Sequence, residues 1–429
     1  MTSTPLYRSR PGGFEIQPAS QPEARKINDF IYLSEGLSNS YLITTPEGRV
    51  VINTGMGFEA PVHKRNFDAV DDSPVRYILL TQGHVDHVGG VDLFRDEGTQ
   101  LVAQANNGPH QTDDGRIAAF RASRSAFAFA DAIARVWKFI QENVGGGIPA
   151  QPRPIPDITF DDRYELELGG VRMELFSTPG GETTDSMVIW LPDHEVCFCG
   201  NLFSALFGHF PNLVTVRGDR YREALRFIDS LERVLALEPK LLLPGHHGPV
   251  VGKETIRNEL TRLRDAVQYV HDETVRGMNH GKDIHALMRD IQLPPELDVG
   301  EGYGKVSWSV RAIWENYAGW FHHSSTTELY PVPAKQVHAD LVELAGGADV
   351  VADRAREKLS NGETLEAIHL AEIVLSDSPA NASALEVMIA AHEQLESESE
   401  NFWLTRWLRK QLTDLRSTLA ASKAKEIQS

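Results

Sequence analysis

An apolar run at residues 75–80, Val-Arg-Tyr-Ile-Leu-Leu, passes without a break into Thr81-Gln82-Gly83-His84-Val85-Asp86-His87-Val88-Gly89-Gly90. The run reads as a strand, so the polar cluster stands at a strand's C-terminal end, where chemistry is commonly sited. Gln82, His84, Asp86 and His87 are four polar residues within six positions, a density that a hydrophobic core does not accommodate. Imidazole nitrogens and a carboxylate so close together suit a divalent cation, Zn²⁺ foremost, with Mn²⁺ or Fe²⁺ compatible. The spacing allows one ion or two. A loop of merely hydrogen-bonded histidines is the bland alternative, and the variety of ligand types argues against it.

The surrounding pattern is that of an α/β or layered α+β domain. Residues 29–34, 40–44 and 49–54 read as strands, the last two joined into a hairpin by Thr45-Pro46-Glu47-Gly48. Residues 164–168 with 171–177, and 187–191 with 195–199, read as two more hairpins. Residues 115–144 carry helical spacing and lead to Gly145-Gly146-Gly147 and a Pro-rich stretch, so one long helix is expected there. Its aromatic residues Phe120, Phe127 and Trp137 are assigned to core packing rather than to a cap over a pocket. After about residue 255 strand signals vanish, which divides the chain into domains at 1–255 and 256–429. Residues 348–359, 364–375 and 382–395 are helix-length, with Ala-rich faces that suit stacked helical hairpins. Residues 401–420 form a last amphipathic helix with Trp403 and Trp407 on one face, expected to be buried.

Length and composition bound the reading. A chain of 429 residues with 41% apolar and 24% charged residues has ample material for a large core. No stretch approaches the ~20 apolar residues that a membrane span needs, and a basic start without an apolar run argues against a secretory signal. A cytoplasmic protein without membrane contact is the expectation. A formal charge of −18 and the lack of a Lys/Arg cluster exclude nucleic acid as an expected partner. Cys197 and Cys199 share one face of a strand, fitting buried thiols better than a redox pair.

The cluster resembles the HxHxDH signature of the metallo-β-lactamase superfamily. His84, Asp86 and His87 match residue for residue, while Gln82 stands where the pattern has His. Asn53-Thr54-Gly55 is similar to the early D-x-G turn, and Leu243-Pro244-Gly245-His246 to the late PGH loop, which implies His246 as a ligand. Thr178-Pro179-Gly180-Gly181-Glu182 is similar to the TPGTE of the alkylsulfatase branch, in which that Glu binds metal. The same branch is resembled by His246-His247-Gly248-Pro249, by Asn212-Leu213-Val214-Thr215-Val216-Arg217-Gly218, by Gly304-Lys305-Val306-Ser307 and by Tyr317-Ala318-Gly319-Trp320-Phe321. The resemblance implies an αββα sandwich, class α/β, followed by an all-α dimerisation domain, hence a homodimer. It implies the metal set Gln82, His84, Asp86, His87, Glu182, Asn201 and His246, with Asn201 at or beside the place of the bridging carboxylate. A well-bound ion at Asp86, His87 and His246, with a weaker site at Gln82, His84 and Glu182, is one state this set allows.

The expected activity is hydrolysis by metal-activated water, with Asp86 orienting or deprotonating it. Arg217 is the expected clamp for an anionic group on a small-molecule substrate, with Asn212 and Thr215 beside it in the same motif. Pro211 occupies the place of the family's proton-donating histidine, and His209 is the candidate replacement. The resemblance also stops short of a sterol-carrier-like third domain, so a different or shorter substrate than a long alkyl sulfate is expected. Three alternatives stay open: a hydrolase of a carboxylic ester, lactone, amide or carbamate; a diiron oxygen-dependent enzyme; and a catalytically silent dimeric scaffold.

Overall fold

A computed structural model describes residues 4–144 and 151–428. The expected break at Gly145-Gly146-Gly147 lies outside the described residues. The chain divides into two compact units, Met1–Tyr317 and Ala318–Ser429.

The first unit is built on two sheets. One has seven strands in the spatial order Arg25–Lys26, Ile31–Ser34, Ser40–Thr45, Gly48–Ile52, Val75–Leu79, Gln100–Gln104 and Ile158–Phe160. Its first four strands pair antiparallel, and Gly48–Ile52 onward pair parallel. The other has six, in the order Val250–Val251, Leu241–Pro244, Val196–Gly200, Met187–Leu191, Val171–Ser177 and Arg163–Leu168. Within it Val196–Gly200 and Leu241–Pro244 are parallel neighbours. The three expected hairpins form, and their registers match the alternation of the sequence.

Alternation sorts the side chains into layers. Val50 and Ile52 join Ile189, Leu191 and Phe198 of the second sheet in an apolar interior between the sheets. Val51, between them, faces the other way and packs with Phe67 of helix Ala60–Asp68 and with Phe94. On the second sheet, Val196 and Phe198 face the interior, whereas Cys197 and Cys199 face helices Ala224–Leu237 and Lys253–Asn279. Both cysteines are buried free thiols, and burial pushes each thiol's pKa up. The result is the expected αββα sandwich.

Two details differ from the sequence reading. The compact units part after residue 317, later than the change of pattern near residue 255. The reason is amphipathicity: Ile256, Leu260, Leu263, Val267, Val310 and Ile313 bury their faces in the same cluster as Phe227 and Leu242. The expected long helix forms as Ala118–Asn143, but on it the core assignment fails, since Phe120 and Trp137 are 57% and 45% exposed.

The second unit, taken by itself, stacks helices Ala348–Ser360, Thr364–Asp377 and Ala382–Ser397. Their small residues Ala352, Ala355, Ala367, Ala371 and Ala384 lie in one core with Val374 and Met388, as the Ala-rich faces imply. In the last helix, Phe402–Gln428, Trp403 is buried but Trp407 is exposed, so the tryptophan face is only partly covered.

Candidate metal centre

Every loop of the candidate site leaves the C-terminal end of a strand. Gly48–Ile52 runs into Asn53, Val75–Leu79 into the Thr81–Gly90 segment, Val171–Ser177 toward Glu182, Val196–Gly200 into Asn201 and Leu241–Pro244 into His246. Asn53 adopts a positive φ of 56°, which Asn tolerates better than most residues. From there its Oδ1 accepts from the Thr81 backbone N–H at 2.9 Å, and its Nδ2 donates to Thr81 Oγ1 at 3.0 Å. The next residue, Thr54, donates its N–H to the His87 carbonyl at 2.8 Å, so the turn clamps both ends of the ligand segment.

Among the described residues, Asp86, His87 and His246 form the group of His, Cys, Asp or Glu able to hold a metal ion, their ligand atoms all within 4.8 Å of one another. Asp86 Oδ2 stands 3.6 Å from His87 Nε2 and 3.9 Å from His246 Nε2. Ser38 Oγ contacts the other ring nitrogen of His87, Nδ1, at 3.2 Å. Such a partner fixes the tautomer and aim of a ligating imidazole. Burial drives the His87 pKa down to about 4, keeping the ring neutral. Burial works the other way on Asp86, but the histidines His87, His246 and His84 outweigh it and keep that carboxyl below its ordinary range. A neutral imidazole and an ionised carboxylate are the forms a cation requires. The donor set therefore fits a divalent ion.

The second half of the site is arranged differently. Gln82 Nε2 lies 2.9 Å from His84 Nδ1, and Glu182 Oε2 lies 3.2 Å from the same nitrogen. Asn201 Nδ2 donates to Glu182 Oε2 at 3.3 Å and lies 3.2 Å from His87 Nε2. Arg222 Nη1 reaches Glu182 Oε1 at 3.4 Å. Burial opposes the charge of Glu182, and Arg222, His84 and Arg217 outweigh it, leaving its pKa well below the ordinary value. Two glycines make the crowding possible. A Cβ on Gly181 would stand 2.3 Å from the Leu202 carbonyl oxygen, and one on Gly245 2.1 Å from Asn201 Oδ1.

The structure thus brings all seven expected metal residues, Gln82, His84, Asp86, His87, Glu182, Asn201 and His246, into one connected set of contacts. Asn212 and Thr215 are buried, with Asn212 Nδ2 and Thr215 Oγ1 lacking a hydrogen-bond partner. Arg217 feels the charges of Tyr303, Glu182, Asp219 and Asp86, which outweigh its burial and raise its pKa. Its loop is held from outside by Arg124, which donates to the carbonyls of Val216 and Arg217 at 2.9 and 2.8 Å. His209 has different surroundings from those expected of a proton donor. Its Nδ1 accepts from the Gly302 N–H at 2.9 Å, its ring packs edge-on to Tyr7, and burial, aided by Arg10, lowers its pKa to about 4.

Four residues escaped the sequence reading. Ser38 and Asn39 sit in an ordinary-looking polar turn, Arg222 lies five residues past Arg217, and Tyr303 is inside a Gly-rich stretch. Only the Gly-rich stretch carried a signal, since close backbone packing of that kind often borders a site.

The fold agrees with comparison to known proteins. Residues 33–246 match the metallo-beta-lactamase superfamily, and residues 283–418 match the alkyl sulfatase dimerisation family. The chain is 27% identical over 403 residues to a linear primary-alkylsulfatase of a Pseudomonas species, spanning 90% of this chain and 75% of that one. It is 26% identical to an alkyl/aryl-sulfatase of Saccharomyces cerevisiae, spanning 89% of this chain and 62% of that one. A solved structure, the stereoselective inverting sec-alkylsulfatase of a Pseudomonas species, superposes with a TM-score of 0.78 at 23% identity, covering 92% of this chain and 65% of that one. The chain belongs to the metallo-beta-lactamase superfamily, as a lactamase-type domain followed by an alkyl sulfatase dimerisation region.

Proposed function

We propose that this chain is a metal-dependent hydrolase of ester-type bonds acting on a small anionic substrate, with sulfate esters the leading class. The observation that carries the reading is the convergence of Asp86, His87 and His246 donor atoms within 4.8 Å at the strand ends. Those three residues would hold the ion, with zinc the ion best suited to them. When bound, it supplies Lewis acidity, which makes water a competent nucleophile near neutral pH.

The chain's own groups do the rest. Asp86, kept ionised by its histidine neighbours, accepts a proton at a carboxylate oxygen. Arg217 offers paired N–H donors to a sulfate or carboxylate, with Thr215 Oγ1 and Asn212 Nδ2 as further donors. Tyr303 is half-buried, and desolvation raises its phenol's pKa, so it stays neutral. The names of the relatives support a sulfate ester. A carboxylic ester or lactone is favoured instead by one observation: His209 is neutral and bonded to Gly302, so it does not stand pre-protonated for a poor leaving group. The second unit is proposed to pair two chains into a homodimer, as its family description suggests.

A panel of short alkyl and aryl sulfates against aryl esters and lactones tests the substrate class. Turnover of sulfates, with Arg217→Ala raising KM about 10-fold or more and leaving neutral esters unaffected, supports the leading reading. Turnover of neutral esters alone, with KM indifferent to Arg217→Ala, supports the other.

A further inference from the structure

The two halves of the site differ in charge. Around Asp86, His87 and His246, one carboxylate and two imidazoles give a donor set of net charge −1, matching the sets that hold a tight zinc ion. Around His84, the groups are Gln82, Glu182 and Asn201, and Arg222 lies 3.4 Å from Glu182. Two neutral amides, one imidazole and one carboxylate also sum to −1, but the guanidinium of Arg222 beside Glu182 offsets that charge. A cation entering there meets the positive Arg222 at close range and must take Glu182 away from partners it already has.

The hydrogen bonds say the same thing in another way. Gln82 and Asn201 turn their amide nitrogens, which are donors, toward His84, His87 and Glu182. An imidazole or carboxylate at those two places would present lone pairs that a second ion could share. The half-site closes on itself through its own side chains. Its buried atoms able to ligate a metal that lack partners are Gln82 Oε1, Asn201 Oδ1 and His84 Nε2, so two of the three are neutral carbonyl oxygens, weak ligands for zinc, beside a single imidazole nitrogen.

We infer that this chain works with a single metal ion, at Asp86, His87 and His246, and that Gln82, His84, Glu182, Asn201 and Arg222 form a self-bonded polar pocket in place of a second ion site. The inference rests on the proposed metal centre above and deepens it. A second ion would bind about 100-fold or more weakly than the first, since losing even one supporting group of a metal ligand already costs roughly 10- to 100-fold.

The test is a zinc titration of the demetallated full chain against a chromophoric chelator, with elemental analysis after gel filtration. One tightly held equivalent is the expected result, and Gln82→His with Asn201→Asp is expected to hold two. Two equivalents of comparable affinity in the unmodified chain would overturn the single-ion inference while leaving the metal centre intact. No tightly held zinc would remove the metal centre itself. A folded double variant that still holds one equivalent would also overturn the inference, because the second ion would then be excluded by something other than these two residues.

Discussion

Asn39 shows how much of a ligand's aim depends on a residue that touches no ligand atom. Its Nδ2 donates to the carbonyls of Pro244 and His247 at 2.9 and 2.7 Å, and its own N–H donates to the Gly245 carbonyl at 2.6 Å. These bonds bracket His246 inside a turn where His247 holds a positive φ of 60°. Asn39→Ala frees that turn, and zinc affinity is expected to fall about 10-fold or more, with a chelator competition as the readout and Asp86 and His87 still in place. Unchanged affinity in the folded variant would remove the positioning role. His209 gives a pH prediction. Its folded pKa of about 4 lies below the ordinary 6.5, so below pH 6.5 the unfolded chain takes up a proton that the native ring refuses. The native state therefore loses stability as pH falls from 6.5 toward 4, by about 2 kcal/mol at pH 5 from this residue. His209→Gln is expected to flatten that slope in urea midpoints measured at pH 7 and pH 5. At this scale the sequence was legible where chemistry is written in rare residues close together, as at His84, Asp86 and His87. It was silent on Ser38 and Asn39, because His87 stands 49 positions from the one and Pro244 205 from the other, and their own residue types are ordinary for a turn.

Among elements, strands were more legible than helix surfaces. Residues 49–54 and 195–199 were legible as strands, and in Gly48–Ile52 and Val196–Gly200 each face meets its own apolar layer. Helix Ala118–Asn143 defeated the same logic: an aromatic stripe normally marks a buried face, yet Phe120 and Trp137 are exposed. What ties the start of this helix to the site is charge. Arg121 pairs with Asp114 and with Asp219, and Arg124 donates to the carbonyls on either side of the Val216–Arg217 peptide link. Arg124→Ala removes two charge-assisted hydrogen bonds from the loop that carries Arg217. The expected outcome is a rise of KM for an anionic substrate by about 3- to 10-fold with the zinc affinity unchanged. A loss of zinc binding instead would mean that the helix supports the metal ligands directly. The compact units part later than the change of sequence pattern for a related reason: amphipathic helices 253–279 and 306–318 look alike in sequence whether they cover a sheet or one another.

For the whole molecule, a net charge of −18 coexists with two arginines, Arg217 and Arg222, acting on Glu182, so a global sum gave no guide to the local field there. No helix among the described residues is long and apolar enough to cross a membrane. Leu341, Leu344, Val350 and Leu365 of the second unit are exposed, and burial between two chains would remove that apolar surface from water. Sedimentation equilibrium is expected to return about twice the 47.7 kDa of one chain, and a monomer at micromolar concentration would contradict the pairing role. The central claim is that Asp86, His87 and His246 hold the ion on which hydrolysis depends. Its most direct test is the initial rate of hydrolysis of a short aryl sulfate and an aryl ester by the chelated protein as zinc is added back, alongside Asp86→Asn. The rate is expected to rise from background to saturation as zinc is restored under oxygen-free conditions, with no such rise for Asp86→Asn. Zinc that binds fully without restoring turnover of either ester, or a rate indifferent to the metal, would contradict it.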